Sequence, residues 1–252
     1  MNKLPLDRFL NLLAPKRGER ILDMGCGKAG DSIAAICENA TVQKIYGLDV
    51  SEGALKAADK KLSKWVARGQ VELMKWDLSK KIPFPNGFFD AIYSFDLLEC
   101  LEPRSRNRLL EEIHRLLKSR GRMVVGHVDW DTQVWNVENK RIERGLVHAF
   151  CDATQSWMKF SEGWMGRKLW EWSNQKKVFK KLKIEVWPLI ETEYRPHFYG
   201  YDRSLDLVVG LKNKKFGLSK KDWVCFLSDL RKKAKKKAYF YSVNSYVLSA
   251  QK

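Results

Sequence analysis

Ile21-Leu22-Asp23-Met24-Gly25-Cys26-Gly27-Lys28-Ala29-Gly30 is the stretch that decides the fold. A short apolar run ends in an acidic residue, and a G-x-G-x-x-G turn follows before a helical pattern that continues to about Cys37. Glycines in such a turn let the backbone approach a ligand closely. Asp49 closes the next apolar run, Lys44–Asp49, where a carboxylate can accept hydrogen bonds from ribose hydroxyls. Together these features indicate an adenosine-containing cofactor. Asp23 bears on which one, because it stands at the carboxyl end of the first strand, where open α/β sheets bind ligands. A pyrophosphate would be repelled there, whereas a ligand carrying ammonium and sulfonium groups would be attracted. A purely local role for Asp23, bonding the backbone of the following loop, is the competing reading.

Outward from this turn, short apolar runs alternate with helical patterns, as βαβ units of a parallel sheet require. Leu4–Leu13 reads as a short helix ended by Pro15 and Gly18. Ser51 caps a helix over 52–68 and Gly69 ends it. Further strands are expected at Val71–Trp76, Phe89–Ser94 and Arg122–Val128, with an amphipathic helix over 104–117. Asp77-Leu78 follows the third strand and gives a third acidic residue at the end of a third consecutive strand, although Asp at such a place is commonly a turn residue. Residues 131–181 read as mostly helical and hold Trp135, Trp157, Trp164, Trp170 and Trp172. A sixth strand at 183–187, one or two helices over 201–237 and a last strand at 239–248 complete the count of seven.

The 252 residues are 44% hydrophobic and 31% charged, which suits a globular chain. No apolar run is long enough for a membrane span, the start lacks a signal-peptide pattern, and the chain is expected in the cytoplasm. Five scattered cysteines without a CxxC pair argue against a disulfide framework and a zinc site; no metal is expected. The net charge of +17 is uneven, since residues 176–252 hold 19 Lys and Arg against 7 Asp and Glu. Much of the excess lies in 231–237, at the end of a helix where cations suit the macrodipole. A solvated helix end is the preferred reading, and contact with nucleic acid the alternative.

The segments 21–27, Gly47-Leu48-Asp49-Val50-Ser51, Ile82-Pro83-Phe84-Pro85-Asn86-Gly87-Phe88-Phe89-Asp90 and Glu112–Gly121 resemble the class I S-adenosylmethionine (SAM)-dependent methyltransferases, in particular the ubiquinone/menaquinone-biosynthesis type of the small-molecule branch. The resemblance covers about residues 17–130. It implies a Rossmann-like α/β fold, with a mostly parallel sheet of order 3-2-1-4-5-7-6, the last strand antiparallel, and a helical cap inserted after strand five. The chain is then one methyltransferase domain over 1–252, with a SAM-binding core at 1–130, the cap at 131–181, and C-terminal strands and basic helices at 182–252. By resemblance, Asp23, Gly25 and Gly27 hold the methionine part of SAM, Asp49 with Val50 the ribose side, and Asp77 with Leu78 the adenine, while Ser94-Phe95 line the methyl group. Relatives often have Gly where Lys28-Ala29 stand and His where Cys100 stands, which puts any His-assisted role at that point in doubt. No Asn/Asp-Pro-Pro-Tyr motif or Pro-Cys nucleophile is present, so amino-adenine and cytosine-C5 methylation are disfavoured.

For the acceptor, the resemblance nominates Phe9, Phe95, Asp129, Trp130 and Trp135, with His127 as a general base. A hydrogen-bonded structural histidine and core tryptophans are the competing readings. The function expected is methyl transfer from SAM to a small molecule by in-line displacement. An RNA methyltransferase using the basic C-terminal region, a NAD-dependent oxidoreductase and an idle SAM-binding module are the alternatives. The sequence leaves the oligomeric state open.

Overall fold

The apolar runs of the first half become β1 (Arg20–Met24), β2 (Lys44–Asp49), β3 (Val71–Lys75) and β4 (Phe89–Phe95). Ile21, Leu22, Met24, Ile45, Leu48, Ala91 and Ile92 are buried, as strands covered on both faces demand. Helices α1 (Leu6–Leu13), α2 (Asp31–Asn39), α3 (Glu52–Val66) and α4 (Pro103–Leu116) connect or flank them. The Ser51 hydroxyl accepts the Ala54 N–H at 3.2 Å and starts α3; Pro103 opens α4, where its missing N–H costs nothing.

The chain continues through β5 (Leu117–Trp135), α5 (Lys140–Cys151), α6 (Met165–Asn174), β6 (Lys180–Glu191), α7 (Tyr199–Asp206), α8 (Lys220–Lys235) and β7 (Tyr241–Gln251). In this computed structural model, which describes residues 5–154, 158 and 160–252, the seven strands form one sheet of order β3-β2-β1-β4-β5-β7-β6. β1 pairs parallel with β2 and β4, and β2 with β3. β7 runs against β5: the Lys252 N–H donates to the Gly121 carbonyl at one end, and the Asn136 N–H to the Phe240 carbonyl at the other.

By contacts the chain divides into two compact units. One holds the described residues up to His127 together with Leu169–Glu185 and Val247–Lys252; the other holds Val128–Lys168 and Val186–Tyr246. In the first, Arg115 anchors the loop before β4, donating to the carbonyls of Ile82 and Phe84 while paired with Glu112. The second has its own core, in which Trp135 meets Phe226 and Tyr241 at ring-centroid distances of 5.5 and 4.6 Å.

Helices α5 and α6 stand between β5 and β6, but β5 is longer at both ends than the sequence pattern of 122–128 indicates. Its extension through Trp135 carries Asp129, Asp131, Thr132 and Gln133, residues that read as loop or helix in isolation. Each has a partner here: Thr132 Oγ accepts the Asn244 N–H at 2.9 Å, and Gln133 Oε1 accepts the Tyr241 hydroxyl at 3.1 Å. Trp157 lies outside the described residues.

Gly126 on β5 exists because Phe95 needs its space: a Cβ there would sit 2.2 Å from Phe95 Cε1. Gly126→Ala should therefore destabilise the protein by about 1–3 kcal/mol. Chemical denaturation checks this, and the penalty should shrink when Phe95→Ala is also present; an unreduced penalty would show that the ring is not its cause.

Candidate functional site

The site begins where β1 ends. Asp23, 3% exposed, lies opposite Tyr93 of β4 on one side and Gly47 of β2 on the other. Its Oδ2 accepts the Tyr93 hydroxyl at 2.8 Å and the Ser32 hydroxyl at 3.2 Å, and those two hydroxyls are 3.1 Å apart. Burial pushes the Asp23 carboxyl up to about 7; the bonds from Tyr93 and Ser32 pull it down, and the charge of Asp49 adds to the rise.

The glycine loop that follows turns with left-handed backbone at Gly25, Gly27 and Gly30, φ +79°, +60° and +59°, a conformation that side chains disfavour. The N–H groups of Gly25 and Cys26 donate to the Leu48 carbonyl at 2.8 and 3.1 Å. Asp49 holds the loop from the end of β2: its Oδ2 accepts the Gly27 N–H at 2.9 Å and its Oδ1 the Ser51 N–H at 2.8 Å. Val50 beside it is 65% exposed. From the end of β3, the Trp76 N–H donates to the Asp49 carbonyl at 2.9 Å, and the buried indole N–H of Trp76 finds no partner among the described residues. Asp77 uses Oδ1 to accept both the N–H and the hydroxyl of Ser79, at 2.9 and 2.7 Å, which shapes a turn, and Leu78 is buried.

At the end of β4, the buried Ser94 hydroxyl donates to the Met24 carbonyl at 2.7 Å and ties β4 to β1. The chain then turns through Asp96, whose φ of +51° is left-handed. The next side chain, Leu97, lies against the loop, since a Cβ on Gly25 would come 3.2 Å from Leu97 Cδ1. Phe95 meets Phe9 edge-on at 5.5 Å, and Phe9 meets Tyr93 at 5.0 Å; Phe9 is fully buried. His127 is buried, its Nε2 accepting the Glu99 N–H at 3.4 Å while Nδ1 stands 3.8 Å from Asp96 Oδ1. Burial pushes the thiol of Cys100 up to about 12, with Glu99 and Asp96 adding to it. The Cys26 thiol is likewise raised, by burial and then by Asp23 and Asp49. Both stay protonated and are poor nucleophiles.

Asp129, Trp130 and Trp135 belong to the second unit. Asp129 is fully buried and grips Arg167 through both oxygens, at 2.5 Å to Nε and 2.7 Å to Nη2. Trp130 meets Phe150 edge-on at 5.7 Å, and Trp135 is a core residue. The geometry thus places Asp23 at the start of the loop that contains Gly25 and Gly27 and hydrogen-bonds Gly27 to Asp49, with Phe95 and Phe9 packed around Tyr93 and Ser94 next to it in the strand. Sequence reading missed Tyr93, Ser32, Asp96 and Leu97. Asp96 carried a visible signal, being a further acidic residue at a strand end; nothing in the sequence set Tyr93 apart from the rest of its strand. Among the described residues, no group of three or more His, Cys, Asp or Glu is placed to hold a metal ion, and no helix is long and apolar enough to cross a membrane.

The family described as "Methyltransferase domain" matches residues 21–121. A demethylmenaquinone methyltransferase from Clavibacter sepedonicus is 37% identical over 114 residues, 45% of this chain and 42% of that protein. The matched segment is thus less than half the length of this curated relative. Among solved structures, the YcgJ protein from Bacillus subtilis superposes with a TM-score of 0.62 at 15% identity, covering 98% of this chain and 97% of that one. A Haemonchus contortus phosphoethanolamine N-methyltransferase in complex with S-adenosylhomocysteine gives 0.53 at 17% identity, covering 98% of this chain and 52% of its own. At such identities the likeness to these structures is one of fold.

Tyr93→Phe removes one hydroxyl from a buried carboxylate. It should cost about 1–2 kcal/mol above pH 8, where Asp23 is ionised, and less at pH 5, where it is protonated. Urea unfolding at the two pH values checks this; equal losses would mean that the bond does not serve the charged form.

Proposed function

We infer that the chain, whose residues 21–121 match a methyltransferase domain, is a SAM-dependent methyltransferase of class I that transfers a methyl group from SAM to a small-molecule acceptor. One observation carries this reading: carboxylates at the ends of two adjacent parallel strands, Asp23 and Asp49, flank a loop of three left-handed glycines. Such a cradle attracts cations and repels a pyrophosphate. It fits SAM, which supplies a methyl group already activated by its positive sulfonium. The indole N–H of Trp76, without a partner among the described residues and next to Asp77-Leu78, also suits a ligand with hydrogen-bond acceptors. The name of the Clavibacter relative, a methyltransferase acting on demethylmenaquinone, supports a small organic acceptor.

In this assignment Asp23 answers the charge of the methionine part and the bare backbone of Gly25 and Gly27 lies against it. Asp49 takes the ribose hydroxyls, with Val50 alongside. Asp77 and Leu78 border the adenine. Ser94 keeps its hydroxyl on Met24, so it serves by holding the β4 end in place. His127 is buried, with Nε2 accepting the Glu99 N–H and Nδ1 on the side of Asp96. His127 is therefore assigned a positioning role. In this reading the Asp96 carboxylate, 39% exposed, is assigned the task of taking the acceptor's proton.

The raised Asp23 pKa gives the binding a pH signature. Asp23 titrates near 4 when unfolded and about 7 when folded. Its contribution to stability is therefore full below about pH 4 and is lost as pH rises through 7. A cationic ligand favours the ionised form, so SAM affinity should rise with pH up to about 7–8, with proton release on binding. Calorimetry in buffers of different ionisation heat measures this, and Asp23→Asn should abolish the dependence. Asp49→Ala should weaken SAM by about 1.5–3 kcal/mol; unchanged affinity with an intact fold would refute the assignment. Incubating cell extracts with methyl-labelled SAM and the protein should yield a labelled small molecule. SAM binding without any labelled product would mark an idle binding module, and labelled RNA would move the acceptor to another class.

A further inference from the structure

We propose that the outward arc of α8 is a docking surface for an anionic phospholipid bilayer. At 3.6 residues per turn, Lys220, Lys221, Arg231, Lys232 and Lys235 fall with Val224, Cys225 and Ser228 within one arc of about 140°. The opposite side of the helix packs Phe226, Leu227 and Leu230, with Trp223 against them, into the core of the second unit. All five cations on the arc are exposed, and among the described residues none is in an ion pair.

The acids of α8 are kept off that arc and are already engaged. Asp222 closes a capping box with Ser219 at the start of the helix. Asp229 accepts the Glu138 N–H at 2.6 Å, while Lys233, on the same flank, pairs with Glu138 at 2.5 Å. The result is a strip about 22 Å long, at 1.5 Å per residue, that carries one sign of charge. Lys236 and Lys237, both exposed, continue it beyond the helix.

The charge complements an anionic surface, and the rest of the arc selects which kind. Val224, 48% exposed, and the exposed Cys225 stand in the middle of the strip, with lysines at both ends. An interfacial helix has this arrangement, with apolar groups entering the headgroup boundary and long cationic side chains reaching lipid phosphates. Single-stranded nucleic acid would call for aromatic platforms between the cations, and the arc has none. Four of the five cations are lysines, point charges without the planar fork that reads phosphates in pairs. The surface belongs to α8 alone and does not depend on which acceptor is methylated.

The test is flotation of the full chain with phosphatidylcholine vesicles, with and without phosphatidylserine. Binding is expected only to the phosphatidylserine vesicles and should weaken steeply with added salt. Replacing Lys221, Arg231, Lys232 and Lys235 together with Gln should lower vesicle affinity by about a hundredfold or more. Val224→Ser leaves the charge intact and should lower it by several-fold. Thermal melting and SAM calorimetry on the same variants report whether fold and cofactor site survive. Equal binding to both vesicle types, or undiminished binding by the quadruple variant, would overturn the proposal. So would salt-sensitive binding to bulk RNA that is lost in the quadruple variant while vesicles are ignored.

Discussion

A carboxylate with almost no access to water has to be satisfied by the protein, and Asp23 is in that position. Its two donors come from different directions. Tyr93 reaches it only because β1 and β4 pair in the register that sets Asp23 opposite Tyr93. Ser32 reaches it only because the glycine loop turns back sharply enough to begin α2 at Asp31. Loss of either arrangement leaves a buried charge short of a partner, which costs more than the bond itself contributes. Strand register, loop conformation and helix start are therefore bound to one side chain.

Asp49 makes the complementary link. One of its oxygens takes the Gly27 N–H and the other the Ser51 N–H, so a single carboxylate joins the glycine loop to the start of α3. The two acids differ in consequence. Asp49 is half-buried, whereas burial pushes Asp23 toward neutrality. The left-handed backbone at Asp96 is a similar local cost. It turns the chain so that Leu97 rests against Gly25 and the Asp96 carboxylate comes within ion-pair range of His127.

The second unit solves a different problem. Asp129 and Gln133 lie buried in the extension of β5, where unpartnered polar groups would break the strand. Arg167 closes on Asp129 with two hydrogen bonds, and Tyr241 and the Trp130 carbonyl take up Gln133. The same unit keeps the acids of α8 on one flank, paired or capped, and leaves its outward cations to solvent.

The sequence by itself placed the first strands and the glycine turn between them, while the order of the sheet came from the resemblance to a known family. Buried parallel strands must be apolar runs, and the loop between β1 and α2 has glycine at each of its positive-φ positions, so β1, the loop and β2 are written locally in residues 20–49. Element boundaries at β1 and β2 follow directly from that pattern. Other features were decided by partners far away in the chain. The expected strand stopped at Val128 and residues from 131 onward read as helical, whereas Arg167, Asn244 and Tyr241 supply hydrogen bonds that hold Asp129, Thr132 and Gln133 in the strand, so the length of β5 was illegible. For His127 the sequence left a general base and a hydrogen-bonded structural histidine both open; the Glu99 N–H that meets its Nε2 comes from a segment 28 residues away. Tyr93 lay unremarked in the expected strand Phe89–Ser94, and only the β1–β4 register aims its hydroxyl at Asp23. Local backbone preference and hydrophobic period travel with the sequence; the partner of a buried polar group is fixed only when the chain closes around it.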